Sequence, residues 1–211
     1  MSLKTLRADP AAACQYNVYR TGPAEKHFTE VARMVEGGRC TIGGGAASGS
    51  ANVYDLKATA NNYNSTDYFF PWLRTGVGWV KVPKAVADGS IVMTGGVNGC
   101  TLVVTEFGTD WYFYHDGDSK YLKPADLTGN EVARVAPNDY DPNGIGQQAF
   151  QNALAQGAAA KVKPVGDVSY GHFVVSVKKD GRFGMYVTGV MSFNGLTRLP
   201  SGPSVRVAEF G

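Results

Sequence analysis

The sequence predicts an α+β protein, a central β-sandwich or curved mixed sheet flanked by about two helices. Three observations carry that expectation. Short runs of β-branched and aromatic residues recur along the chain, separated by turn signals such as Asp88-Gly89, Asp180-Gly181 and Asn194-Gly195. Only two stretches carry a helical repeat. Hydrophobic residues make up 44% of the chain and charged ones 18%, below the usual quarter, so material for a core is plentiful.

Taken in order, residues 1–20 are weakly patterned and are expected to form an extended arm. Thr21-Gly22-Pro23 then reads as a helix entrance with proline in the first turn. Phe28, Val31, Ala32 and Val35 follow at i, i+3, i+4 and i+7, one apolar stripe, and Gly37-Gly38 ends it. Residues Gly43 to Ser50 are glycine, alanine and serine without the Gly-Lys-Ser/Thr ending of a phosphate loop, and predict a flexible connection. Tyr54, Leu56, Ala58 and Ala60 alternate with Asp55, Lys57 and Thr59 as a half-buried strand does.

Tyr68-Phe69-Phe70-Pro71-Trp72-Leu73 is strongly aromatic, and its proline places it at an edge or corner, or in the wall of a pocket. Gly78 to Pro83 and Ser90 to Thr94 read as strands. Residues 117–138 show no helical period and read as loop. A second helix is expected from about Asp141-Pro142-Asn143, with Ile145, Ala149, Ala153 and Leu154 on its buried side. The last third is β: Val168 to Val177, Arg182 to Ser192, and a final strand beginning at Val205. No repeat or boundary interrupts the 211 residues, so a single catalytic domain over 1–211 is expected.

Composition excludes several classes. A formal charge of +2, with no long basic tract, argues against nucleic acid and membrane surfaces. Cys14, Cys40 and Cys100 are too few for a disulfide framework. His27, His115 and His172 are far apart and no CxxC or HExxH spacing exists, so neither a metal nor another cofactor is expected. No apolar run is long enough to span a bilayer, and no signal peptide is evident. His27 reads as an ordinary helical histidine.

The informative stretch is Thr94-Gly95-Gly96-Val97-Asn98-Gly99-Cys100, which delivers a cysteine to the start of a β-hairpin. Leu102 to Glu106 and Trp111 to His115 are the hairpin's strands. If Gly108-Thr109 form a two-residue loop, His115 lies opposite Leu102 and shares a face with Cys100. A loop of odd length would separate them. A free thiol ionises little at neutral pH, and an adjacent imidazole can take its proton and later return it to a leaving amine. A third group should orient the imidazole, and Thr94, Asp116 and Tyr114 are the local candidates. Small residues before Cys100 let the backbone N–H groups of Asn98, Gly99 and Cys100 turn toward a developing oxyanion. Two plainer readings stand beside this one. A cysteine entering a strand is commonly a small core residue, and His115 can be a strand end bonded at the surface. His172, on the face of Tyr170 and Val174, is the reserve histidine.

These residues resemble the Cys–His toxin deamidases: the catalytic domain of the cytotoxic necrotizing factors, the Burkholderia lethal factor and, more distantly, the chemotaxis deamidase CheD. Gly99-Cys100 leading into a strand, with His115 fifteen residues later, is similar to the necrotizing-factor motif, with Asn98 where that motif has serine. Thr94, six residues before Cys100, is similar to the histidine-orienting threonine of the other branch, and Pro71-Trp72 looks like part of the lethal factor's Leu-Pro-Trp. The resemblance covers roughly residues 70–116. It implies a β-sandwich flanked by helices and hydrolysis of a glutamine side chain in a host protein, such as a small GTPase or translation factor. In that scheme Cys100 attacks, His115 transfers protons, Thr94 orients, and Asn98 and Gly99 supply oxyanion donors. It further implies a bacterial virulence effector, secreted or injected into the host cytoplasm, or alternatively one kept in the bacterial cytoplasm, and a monomer. Two alternatives remain open at this stage: a cysteine protease or other amidohydrolase using the same pair, and a non-enzymatic β-sandwich binding module.

Overall fold

The structure, a computed structural model, describes residues 3–23, 33–47, 52–60, 65–142, 148, 151–152, 155, 168–193, 197–200 and 204–211. The chain opens on two short helices, α1 (Leu3–Ala8) and α2 (Pro10–Tyr16), where the sequence predicts an extended arm. Asp9 caps α2 by accepting from the Ala12 N–H at 3.1 Å, and Pro10 sits in the first turn, where its missing N–H costs nothing. Arg7 ties this unit to the sheet. Its guanidinium reaches both carboxylate oxygens of Asp67, at 2.7 and 2.5 Å, and the Gly89 carbonyl at 2.8 Å.

Fourteen strands follow among the described residues. They are β1 (Val18–Pro23), β2 (Met34–Glu36), β3 (Gly38–Ala46), β4 (Val53–Ala60), β5 (Asp67–Phe69), β6 (Val77–Pro83), β7 (Ile91–Gly96), β8 (Thr101–Phe107), β9 (Asp110–Asp116) and β10 (Asn130–Val135). After α3 (Pro137–Tyr140) come β11 (Val168–Lys179), β12 (Arg182–Phe193), β13 (Thr197–Pro200) and β14 (Val205–Phe210). The larger sheet runs β1-β4-β3-β5-β7-β11-β12-β13, with β14 also on β12, and the smaller runs β10-β8-β9-β6-β2. Pairing is mostly antiparallel, with parallel pairs at β1–β4, β5–β7 and β2–β6. The expected α+β class with a curved mixed sheet is what the chain adopts.

The larger sheet curls. Three strands separate β1 from β7 in the sheet order, yet the Thr21 hydroxyl on β1 donates to the Thr94 carbonyl on β7. The inside of the curl is filled by Tyr19, Leu56, Ile91, Met93, Val175 and Val177, closed by Leu6 and Cys14 from the helices. Its other face packs on the smaller sheet through Phe70, Val92, Val174, Phe183, Val104 and Phe113. Side-chain alternation explains the division: Val92 and Thr94 point toward the smaller sheet, Ile91 and Met93 into the curl.

Several expectations give way. Of the first predicted helix, entered at Thr21-Gly22-Pro23 and ended by Gly37-Gly38, residues 24–32 lie outside the described residues, and its ends are strands: Thr21 to Pro23 belong to β1 and Val35 to β2. Gly43 to Ala46 are strand rather than flexible connection, antiparallel to β4. Glycine is needed there, since a Cβ on Gly44 would lie 2.7 Å from the Asp55 carbonyl oxygen. The aromatic run begins as β5, inside the larger sheet rather than at its edge, and turns the corner from Phe70 through Leu73. The loop-like 117–138 region contains β10, at the edge of the smaller sheet. Most of the predicted second helix, including Ile145, Ala149, Ala153 and Leu154, lies outside the described residues; Gln148, Gln151, Asn152 and Ala155 are helical. The strands over 78–83, 90–94 and the last third form where expected.

Candidate active site

The hairpin forms in the predicted register. Phe107 pairs with Asp110, so Gly108-Thr109 is a two-residue loop, and Leu102 lies opposite His115. Cys100, one step before β8, therefore falls on the same face as Leu102 and His115. Both packing neighbourhoods agree: Cys100 belongs to the core between the sheets together with Phe70 and Phe113, and the His115 ring meets Phe70 edge-on, 6.3 Å between centroids.

Thr94 and His115 meet across the two sheets. The Thr94 Oγ1 is 2.7 Å from the His115 Nδ1, and both residues are fully buried. The other ring nitrogen, Nε2, is buried and has no hydrogen-bond partner among the described residues. The remaining candidates for orienting the imidazole are occupied on the opposite face of β9. Asp116 Oδ1 accepts the backbone N–H groups of Lys120, Tyr121 and Leu122, and the Tyr114 hydroxyl accepts from the Thr128 N–H at 3.0 Å.

Cys100 stands where the chain crosses from the larger sheet to the smaller. Residues 97–100 form a turn closed by the Cys100 N–H on the Val97 carbonyl at 2.8 Å, with Gly99 at φ +75°, a left-handed conformation that glycine adopts without strain. That bond commits the Cys100 N–H to the turn and takes it out of the expected oxyanion donors, leaving Asn98 and Gly99. The Asn98 side chain acts as a clasp to β11. Its amide donates to the Tyr170 carbonyl at 2.8 Å and its oxygen accepts the His172 N–H at 2.7 Å, while the Val97 N–H reaches the His172 carbonyl at 2.9 Å. Two further residues fasten the turn. Tyr140 places its hydroxyl between the carbonyls of Val97 and Cys100, and Ser119 donates to the Gly99 carbonyl at 2.9 Å. Neither was marked by the sequence pattern, because Ser119 lies in the stretch that reads as loop and Tyr140 just beyond it.

Electrostatics favour the uncharged form of both His115 and Cys100. Burial holds the His115 imidazole down, to about 3. Burial also pushes the Cys100 thiol up, offset in part by the nearby Asp118 backbone and Trp72 side chain. The thiol is 1% exposed and contacts the Asn98 carbonyl oxygen at 3.7 Å. Burial pushes Cys14 and Cys40 to about 12. The reserve histidine is engaged elsewhere: His172 Nε2 lies 2.7 Å from the Tyr170 hydroxyl and its ring 5.0 Å from that of Tyr140. His27 lies outside the described residues.

Beside the turn, at the mouth of the curl, is a groove of about 490 Å³ lined by Trp72, Gly95, Gly96, Asn98, Gly171 and Phe173, among others. Among the described residues no cluster of three His, Cys, Asp or Glu side chains could hold a metal ion, and no helix is long and apolar enough to cross a membrane.

Fold and site together define a two-sheet α+β domain that encloses a thiol, an imidazole and a hydroxyl in the core between its sheets. The chain belongs to the Mcf1 activator-binding domain family, whose model matches residues 24–154 and so spans Thr94, Cys100 and His115. No curated protein matches. Among solved structures, the C-terminal domain of CNFy from Yersinia pseudotuberculosis is similar at 9% identity and a TM-score of 0.34, over 100% of each chain, too low a score to support an argument about fold or activity.

Proposed function

We propose that this domain is a thiol-dependent protein-glutamine deamidase of bacterial toxin type. The observation that supports it best is the buried Thr94–His115 contact, with His115 Nε2 left without a partner among the described residues on the face that Cys100 shares. Thr94 fixes the ring, as a third group does in catalytic triads. The Cys100 thiol proton passes to Nε2 as sulfur attacks the carboxamide carbon. Backbone N–H groups at Asn98 and Gly99 receive the oxyanion. The imidazolium returns the proton to the departing nitrogen, ammonia leaves, and a thioester remains. Water, losing a proton to the same nitrogen, then cleaves the thioester, regenerating the thiol and leaving a carboxylic acid. The substrate is a host protein, reached after secretion or injection.

The test is incubation with host lysate followed by mass spectrometry of glutamine peptides. A mass gain of about 1 Da, lost with Cys100→Ser, supports deamidation, the net replacement of an amide nitrogen by a water oxygen. Backbone cleavage would instead indicate a protease using the same pair.

A second reading comes from the family's name, which describes a domain that binds an activator. The closed site favours it, since Cys100 is 1% exposed and Thr94 and His115 are fully buried. On that reading the three residues are core, and Cys100→Ser leaves every activity of the protein unchanged.

A further inference from the structure

In the turn over residues 97–100, φ is positive at Gly99 alone, which makes it a turn of type II. Its central peptide, between Asn98 and Gly99, faces the wrong way for catalysis. The Asn98 carbonyl oxygen is turned to the Cys100 sulfur, 3.7 Å away, and accepts the thiol hydrogen. A carbonyl oxygen there stabilises the protonated thiol and opposes a thiolate. In a planar trans peptide the Gly99 N–H lies opposite that carbonyl, so it points away from the sulfur. The peptides on either side are pinned. The Cys100 N–H and the Tyr140 hydroxyl hold the Val97 carbonyl, the Ser119 hydroxyl holds the Gly99 carbonyl, and the Asn98 side chain is clasped to β11. Ser119 is itself fixed by the Thr101 hydroxyl at 2.7 Å. Among the described residues, the sulfur is the one hydrogen-bond partner of the Asn98 carbonyl. Turns of types I and II differ by rotation of the central peptide and share the closing bond. Asn98 and Gly99 are exposed, and a Cβ on Gly99 would meet nothing within 4 Å, so the rotation has room.

We propose that the Asn98–Gly99 peptide is the switch of the site: the type II turn is its resting form, and rotation to type I replaces the Asn98 carbonyl at the sulfur with the Gly99 N–H, which stabilises the thiolate and then the oxyanion. This rests on the thiol reading above. It also explains the residue at position 99, since glycine adopts the positive φ of one form and the negative φ of the other about equally well.

The experiment reads thiol ionisation rather than turnover. Iodoacetamide labelling of the folded protein is followed against pH by mass spectrometry at each cysteine, with Cys14 and Cys40 as internal reporters of general loosening. Gly99→Ala places a β-carbon where a positive φ is disfavoured and so favours type I. It is expected to lower the pH midpoint of Cys100 labelling and to speed labelling at neutral pH by about tenfold, with Cys14 and Cys40 unchanged. Gly99→Asn, which tolerates a positive φ, is expected to give at most about a third of that acceleration. The titratable groups around the sulfur are His115 and Asp116 on β9, Asp118 after it, Tyr140 on α3 and, beyond that ring, His172 on β11. Neither substitution alters them. Simple loosening of the turn raises the rate at every pH and leaves the midpoint in place. An unmoved midpoint in Gly99→Ala therefore overturns the switch, and so does an equal shift in Gly99→Asn. Should Gly99→Ala fail to fold, the parent decides. Alkylated Cys100 has no S–H to hold the carbonyl, and a crystal structure of the labelled parent is expected to show Gly99 at negative φ; retention of the positive φ overturns the switch. The deamidase reading stands or falls separately. If Gly99→Ala shifts Cys100 as expected and no glutamine gains mass, the switch survives and the activity does not. If Cys100→Ser abolishes deamidation while Gly99→Ala leaves the midpoint unmoved, the reverse holds.

Discussion

Thr94 and His115 come from different sheets and meet with 2.7 Å between Oγ1 and Nδ1, so a single polar contact joins β7 to β9 through an otherwise apolar core. Its energetic importance follows from its surroundings. A buried ring nitrogen left without a partner costs about 1–3 kcal/mol, and His115 Nε2 already has none among the described residues. Thr94→Val keeps the shape and removes the partner of Nδ1. It is expected to lower stability by about 1–3 kcal/mol in urea unfolding and to abolish deamidation through kcat rather than KM. Thr94→Ser restores the hydroxyl and is expected to recover most of both. A valine variant as stable and as active as the parent would remove Thr94 from the site.

The three cysteines are expected to label in a fixed order. Burial raises Cys14 and Cys40 to about 12, offset only in part by Ser204 at Cys14 and by the Arg7 charge at Cys40, and neither shares a strand face with His115 as Cys100 does. The thiolate is the reacting form. Cys100 is therefore expected to be alkylated first, and more slowly in His115→Ala than in the parent. Time-resolved labelling at neutral pH checks both, and an inert Cys100 in the folded protein would sink the enzyme readings.

The hairpin was legible in the sequence because strand alternation and a two-residue turn fix a register with no help from the rest of the chain. Thr94, Cys100 and His115 followed from that register and from a six-residue offset. The C-terminal hairpin was legible for the same reason. The parts that escaped depend on distant partners. Val31 and Val35 carry a helical spacing, but Met34–Glu36 pairs with β6 and becomes a strand, because tertiary pairing overrides a short periodic signal. Gly43–Gly45 read as flexible, yet they pair with β4, whose close approach requires glycine at position 44. Asp9-Pro10 is a helix-start signal, but the helix it opens is only seven residues long, too short to carry a helical period. Tyr140 and Ser119 could not be found at all, since only the folded chain brings them to the Cys100 turn.

Stability is expected to fall in acid, and the sign follows from His115. Its folded value is depressed to about 3 by burial, against an ordinary 6.5. Between these values the unfolded chain holds the proton and the folded chain does not, so stability is complete above about pH 6.5 and is lost as pH falls toward 3. The loss per pH unit is at most about 1.4 kcal/mol from this group. His172, also depressed by burial, adds in the same direction. Urea midpoints compared from pH 7 to pH 4 should converge between the parent and His115→Gln, because the variant lacks this term. Parallel curves would mean that His115 titrates normally and is not buried as placed.

Asn98 separates positioning from chemistry. Its side chain makes two bonds to β11, at 2.8 and 2.7 Å, while its backbone is what the mechanism uses. Asn98→Ala removes both clasping bonds and keeps the backbone. At about 1 kcal/mol net for each bond, a loss of roughly 1–2 kcal/mol is expected, together with faster Cys100 labelling as the turn loosens. Asn98→Asp keeps the acceptor for the His172 N–H but sets a carboxylate oxygen against the Tyr170 carbonyl. It is therefore expected to be at least as destabilising as alanine at neutral pH and to recover as the carboxylate is protonated. Only the aspartate variant is therefore expected to respond to mild acid, measured relative to the parent. That contrast tests the clasp directly, because only a carboxylate oxygen set against the Tyr170 carbonyl gives a penalty that protonation relieves.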